Sequence, residues 1–212
     1  MQGGKSKVAR ENKLKVEFID KNTLKLDKVL NKLDRFVIDF IRILEKYVDY
    51  VIISGYVSIL LGRSRATEDI DIFIKEVTKD IFKELYQGLK NNGYWCINVD
   101  DFEEVYKYLN EGIPVRFALK DTIVPNFEVA FANNSSRKSA FEYVLVVVTQ
   151  LGNINISSIE RQIAYKKFYL KSDKDLEDAI HLEVLFGDKL NKEKIDKSRR
   201  QIENARSRQN KS

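Results

Sequence analysis

The sequence is short of the residue types that build several common kinds of site. Its 212 residues include one cysteine (Cys96), one histidine (His181), two prolines and nine glycines. A single cysteine excludes a disulfide framework, and one cysteine with one histidine excludes the usual zinc sites. The lone histidine also disfavours a Ser-His-Asp site. Carboxylates, hydroxyls and cations remain for catalysis, and these are typical of phosphate and metal chemistry.

Long hydrophobic runs are absent as well. The longest stretches, 48–61 and 143–148, fall short of the roughly 20 apolar residues that cross a bilayer. Residues 1–13 lack the apolar centre of a secretory signal. With 43% hydrophobic and 33% charged residues, the chain has enough apolar material for one sizeable core. We therefore expect a cytoplasmic protein with no membrane partner.

The positive charge is concentrated at the two ends of the chain. Residues 1–15 and 189–212 together carry +10, which leaves −5 for residues 16–188 because the whole chain is +5. Charge runs of this kind are either solvated tails or an electrostatic footprint for RNA or DNA. Both alternatives stay open on the sequence.

Hydrophobic periodicity predicts a mixture of strands and helices up to about residue 149 and helices alone from there to the C-terminus. Residues 27–47 have the i, i+3, i+4, i+7 pattern of an amphipathic helix. Short β-branched or alternating runs predict strands at 16–19, 50–53, 69–74, 94–99, 115–119, 127–131 and 143–148. Three further helices are predicted at about 157–170, 172–187 and 191–208.

The predicted elements divide the chain into three parts. We expect a disordered basic lead at 1–15, an α/β domain at 16–149 and a helical region with a basic tail at 150–212. In the middle helix of the last part, Leu176, Ala179, Ile180 and Val184 are predicted to form the buried face.

Residues 50–74 carry the most specific pattern. A predicted strand ends at Ser54-Gly55, a short helix follows, and Asp69 and Asp71 alternate with isoleucine on the next strand. A turn leading into a helix directs N–H groups toward an anion, and Gly55 allows a phosphate to approach closely. The two aspartates share one face of their strand, roughly 7 Å apart, which suits one divalent ion or two neighbouring ions. Alone, such a pair also fits an exposed structural position.

The ordered combination resembles the minimal nucleotidyltransferases of the DNA polymerase β superfamily. Their motif places a Gly-Gly or Gly-Ser turn nine to thirteen residues before an Asp-hydrophobic-Asp/Glu strand. The chain is most similar to the stand-alone branch that includes abortive-infection toxin-like nucleotidyltransferases, whose Arg-x-Thr-x-Asp-hydrophobic-Asp run matches residues 65–71. Residues 174–179 match a Lys-Asp element of that branch. The chain departs from the pattern at Ser54, where the family has glycine.

This resemblance implies an α/β (α+β) fold with a nucleotidyltransferase-type mixed sheet flanked by helices and followed by a helical part. It implies metal-dependent transfer of a nucleoside monophosphate from an NTP, with Mg²⁺ or Mn²⁺ as the cofactor. The implied acceptors are RNA or tRNA, a protein, or a small molecule, and an antitoxin-like protein partner is also implied.

The resemblance also assigns roles to residues of this sequence. Asp69 and Asp71 would be catalytic metal ligands. The nucleotide would be bound by Ser54, Gly55, Arg65 and Lys174, with Lys166 and Lys167 as weaker candidates.

A third carboxylate is expected on a neighbouring strand, with Glu128 and Asp121 as the candidates. Glu128 lies between apolar residues on a predicted strand, so its side chain projects to one defined face, whereas Asp121 lies in a predicted turn. We expect Glu128 to be the catalytic metal ligand, the alternative being an exposed glutamate on an outer face.

Two other functions fit the same sequence. One is a nucleotidyltransferase-fold protein without catalysis, which binds a nucleotide or a partner; Ser54 and the undecided third carboxylate favour it. The other is an RNA- or DNA-binding module that uses the basic ends of the chain.

Overall fold

The structure is a computed structural model that describes residues 14–209, with side chains described to residue 204. The predicted disordered lead lies, apart from its last two residues, outside the described residues.

Strands within the described part of the chain form one mixed sheet. They are β1 (Lys15–Phe18), β2 (Thr23–Asp27), β3 (Tyr50–Ile52), β4 (Asp69–Ile74), β5 (Tyr94–Cys96), β6 (Val115–Leu119), β7 (Asn126–Phe131), β8 (Leu145–Thr149) and β9 (Gly152–Ile156). Their order across the sheet is β1-β2-β8-β9-β3-β4-β7-β6-β5. The central strand β4 pairs in parallel with β7 and antiparallel with β3, and β6 runs antiparallel to β7.

Helices flank this sheet. They are α1 (Lys32–Leu44), α2 (Gly55–Leu60), α3 (Lys79–Asn91), α4 (Phe102–Asn110), α5 (Ser135–Lys138), α6 (Ile159–Tyr165), α7 (Asp173–Phe186) and α8 (Lys192–Gln209). A π-helical turn, Lys166–Leu170, continues α6. The α/β class and the mixed sheet predicted from the sequence are confirmed. None of the described helices is long and apolar enough to cross a bilayer.

Two strands were not predicted: β2 occupies a segment to which, apart from Asp27, no element was assigned, and β9 lies in the region predicted to be helical. Residues 23–27 form β2, and α1 begins only after Asn31, whose side chain accepts a hydrogen bond from the backbone N–H of Asp34. Residues 152–156 form β9 instead of helix, in a hairpin with β8 and in parallel with β3. The predicted boundary at 149/150 therefore falls in the turn of a hairpin. Periodicity missed both strands because each is five residues long and is stabilised by pairing partners far away in sequence.

The buried face of α7 also differs from the prediction. Leu176, Ile180 and Val184 are 38%, 56% and 79% exposed, whereas Ala179, Leu182 and Phe186 are buried. The physical reason is Asp178, which is fully buried and binds cations inside the protein. Its ion pairs orient the helix, and the apolar stripe is turned outward as a consequence.

One hydrophobic core connects the sheet with the C-terminal helices. Phe40 of α1 stacks on Phe127 of β7 with ring centroids 3.7 Å apart, and the same core contains Ile163 of α6 and Phe186 of α7. The basic helix α8 packs against α6 and buries Ile202. In its described part, α8 is therefore a packed element of the fold and not a solvated tail.

Candidate active site

Three carboxylates meet on one face of the sheet. Asp69 and Asp71 alternate along β4, and the parallel register pairs Asp71 with Glu128 of β7. One carboxylate oxygen from each of the three residues lies within 4.8 Å of the others. The other candidate, Asp121, lies in the turn between β6 and β7 and is not part of this cluster. The geometry therefore selects Glu128 over Asp121 as the third carboxylate.

The three carboxylates concentrate negative charge at a partly buried position. Burial and the neighbouring charge of Asp69 raise the pKa of Asp71 to about 6, against an opposing hydrogen bond from Ser54 and the positive charge of Lys166. An all-oxygen ligand set with excess negative charge suits Mg²⁺ or Mn²⁺. The residues present therefore fit a divalent cation.

Arg116 is a member of the site that sequence reasoning missed. It lies opposite Glu128 in the antiparallel register of β6 and β7. Its Nε and Nη2 atoms donate to Oε2 of Glu128 at 3.1 and 3.0 Å. No local sequence signal marks this arginine, because the contact depends on the register of two strands.

The turn before α2 contains Ser54 in a strained backbone conformation, followed by Gly55, where a side chain would meet Arg65. Ser54 has φ +64° and ψ −138°, a conformation that costs a non-glycine residue about 1–3 kcal/mol. Its backbone N–H donates to Oε1 of Gln162 at 3.1 Å, and its hydroxyl is hydrogen-bonded to Asp71. At Gly55, a Cβ atom would overlap the guanidinium of Arg65.

Arg65 belongs to an ion-pair cluster around the buried Asp178. The Asp178 carboxylate accepts from Arg63 Nε at 3.1 Å, Arg65 Nη2 at 3.0 Å and Lys166 Nζ at 2.8 Å. Burial alone would raise the pKa of Asp178, but hydrogen bonds from Lys166 and Arg65 bring it below its usual value. Arg65 therefore joins the loop before β4 to α7, and its guanidinium already has an acidic partner.

The three lysine candidates occupy different surroundings. Lys174 is exposed in the first turn of α7, and Lys167 pairs with Glu183 at 2.6 Å. Lys166 is only 1% exposed, and its charge lowers the pKa of Asp71, so it acts directly on the acidic cluster. The π-helical turn that carries Lys166 cannot be predicted from periodicity.

A cavity of about 360 Å³ opens beside the acidic cluster. Ser54, Asp71 and Glu128 line it, and so do Tyr165, Tyr169 and Ile202 from the C-terminal helices. It therefore has a carboxylate-rich part and an aromatic part.

Comparison with known proteins gives a family match over part of the chain and a similar fold. Residues 35–129 match the family described as nucleotidyl transferase of unknown function (DUF2204), and this segment contains Ser54, Gly55 and the three carboxylates. No curated protein matches the sequence.

Among solved structures, the antibiotic-resistance factor ANT(2'')-Ia is similar with a TM-score of 0.50 and 15% identity, over 84% of this chain and 96% of that chain. An antigenic nucleotidyltransferase-like protein from Paracoccidioides brasiliensis has a TM-score of 0.49 and 16% identity, over 80% and 86%.

Proposed function

We propose that this chain is a nucleotidyltransferase, which transfers a nucleoside monophosphate from an NTP to an acceptor with release of pyrophosphate. The observation that carries the proposal is the cluster of Asp69, Asp71 and Glu128, whose carboxylate oxygens lie within 4.8 Å of one another. Attack at the α-phosphorus adds negative charge to the entering and leaving oxygens, and an acidic cluster beside a cavity is the arrangement that a cation-assisted displacement requires.

In this proposal the three carboxylates hold Mg²⁺ or Mn²⁺. Such an ion, when bound, supplies charge neutralisation at the reacting oxygens. Glu128 accepts the proton of the acceptor group, directly or through water. Ser54 and Gly55 border the phosphates at the start of α2.

The cationic residues of the proposal act over different distances. Lys174 binds the outer phosphates as a point charge, and Lys166 acts on the site through its charge from a buried position. Arg65 supports the turn by packing over Gly55.

The acceptor is proposed to be RNA or tRNA, a protein, or a small molecule. Each of these can supply the one attacking oxygen that the reaction requires beside the carboxylate cluster. An antitoxin-like protein partner likewise stays a proposal that rests on the sequence resemblance.

The test is to incubate the protein with each labelled NTP, Mg²⁺ and either total RNA or a cell lysate. We expect one class of molecule to become labelled, and both Asp69→Asn and Asp71→Asn to abolish the labelling while the circular dichroism spectrum stays unchanged. Asp121→Asn is the matched control and should label normally. Unchanged labelling by both cluster variants would refute the catalytic assignment.

A second candidate function is nucleotide binding without transfer. The contact between Arg116 and Glu128 favours it, because a carboxylate paired with arginine is a weaker metal ligand and base. This alternative predicts that NTP stabilises the protein against heat while no acceptor is labelled, and that Arg116→Gln, which frees Glu128, gains labelling.

A further inference from the structure

We propose that the stacked pair Tyr165 and Tyr169 is the subsite that binds the nucleobase of the NTP. This inference rests on the proposed function and adds to it the part of the cavity that receives the base. Neither tyrosine was distinguishable from core packing in the sequence.

The pair lies where α6 passes into its π-helical turn. The rings of Tyr165, the last residue of α6, and Tyr169, within the turn, are stacked at a centroid distance of 4.6 Å with an interplanar angle of 26°. The same turn carries Lys166, whose Nζ donates to Asp178. Single π-helical turns within helices are frequent at functional sites. Both tyrosines line the cavity that also contains Asp71 and Glu128.

Arg137 lines the same cavity. Its charge interacts with both Glu128 and Tyr165, and its guanidinium donates to the carbonyl oxygens of Phe131 at 3.1 Å and Gly112 at 2.9 Å. Within residues 14–204, no carboxylate lies at ion-pair distance from it. A half-buried arginine without an acidic partner supplies positive charge to an anion in the cavity.

The cavity therefore combines carboxylates, a cation and aromatic rings. An NTP bound to metal has groups that complement each of them: phosphates that bind cations and a flat base that stacks on rings. The cavity of about 360 Å³ falls within the range of small-molecule sites. Arg161 stacks over the Tyr165 ring at 5.2 Å, which holds that ring in place. We commit to the donor nucleotide as the occupant because the tyrosines share one cavity with the proposed metal ligands.

The experiment measures binding by calorimetry in Mg²⁺ without acceptor, for ATP and for inorganic tripolyphosphate, which has no base. Loss of base stacking should weaken ATP binding of Tyr169→Ala about 5- to 100-fold, while tripolyphosphate binding stays unchanged. Tyr169→Phe keeps the ring and should bind ATP nearly as the wild type does. Tyr143→Ala is the matched control, since Tyr143 is an exposed tyrosine that lines a different cavity.

The outcomes separate this inference from the proposed function. Wild-type protein that binds neither ligand would overturn both. ATP binding that is equal in wild type and Tyr169→Ala would overturn the base subsite alone. Equal loss of ATP and tripolyphosphate would also overturn it, because the tyrosine would then support the phosphate region or the fold.

Discussion

At the scale of single residues, Asp71 is a side chain whose ionised form is disfavoured by the folded protein. Its pKa of about 6 in the folded protein, against a usual value of 3.8, means that folding favours the protonated form. Below pH 3.8 the group is protonated in both the folded and the unfolded state and costs no stability. The cost builds as the pH rises from 3.8 to about 6, because the unfolded chain ionises first, and it reaches about 2–3 kcal/mol above that range.

We therefore predict that Asp71→Asn raises the stability of the metal-free protein by about 2–3 kcal/mol at pH 7.5 and has little effect at pH 4. Urea denaturation in EDTA at the two pH values measures the difference. Mg²⁺ should stabilise the wild type at pH 7.5 and not the variant. Asp80→Asn on α3 is the exposed control. A variant that gains equally at both pH values would show that buried charge is not the cause.

Ser54 offers a second test at the residue scale, because its backbone conformation and its hydroxyl have separate effects. Ser54→Gly and Ser54→Ala both lose the hydrogen bond to Asp71, but only glycine adopts φ +64° without strain. We predict that Ser54→Gly is more stable than Ser54→Ala by about 1–2 kcal/mol, measured by thermal and urea unfolding. Equal stabilities would mean that the turn relaxes when the hydroxyl is removed.

At the scale of elements, α7 is attached to the loop before β4 through Asp178. This carboxylate is buried and binds Arg63, Arg65 and Lys166 together. Because Arg65 packs over Gly55, the ion-pair cluster connects α7 with the turn of the candidate active site.

Removing the shared charge should leave three cations without their common partner. We predict that Asp178→Asn lowers the free energy of unfolding by about 3–5 kcal/mol. Glu177→Gln is the matched control, since Glu177 pairs with Arg63 at the surface and should change stability by about 0–1 kcal/mol. Comparable losses in both variants would contradict a special role for the buried pair.

At the scale of the whole molecule, the C-terminal basic helix belongs to the folded unit. Ile202 of α8 is 6% exposed and lines the cavity beside Asp71, so the last helix contributes to the candidate site as well as to the core. This position contradicts the solvated-tail alternative for the described part of α8.

We predict that Ile202→Ala lowers stability by about 2–4 kcal/mol and weakens ATP binding. Arg200→Ala, which removes a charge from the same helix, is the control and should leave both quantities unchanged. Thermal melting and calorimetry measure the two effects. If Ile202→Ala keeps wild-type stability and affinity, α8 contributes neither to the core nor to the cavity.

The sequence by itself determined the features that depend on neighbouring residues. Alternation placed Asp69 and Asp71 on one face of a strand, and the apolar neighbours of Glu128 favoured it over Asp121 without excluding Asp121. The spacing of turn, helix and acidic strand resembles that of nucleotidyltransferases, and the family that residues 35–129 match is described as a nucleotidyl transferase. Such features can be predicted because their causes, side-chain direction and turn geometry, act within a few residues.

The tertiary structure alone decided the contacts that join distant segments. Strand register paired Arg116 with Glu128, and pairing with distant strands made residues 152–156 part of the sheet. The ion pairs of Asp178 set the rotation of α7 against its apolar pattern, and the end of α6 with its π-helical turn placed Tyr165 and Tyr169 at the cavity. These outcomes result from competition between interactions across the whole core, and no local pattern in the sequence records which interaction prevails.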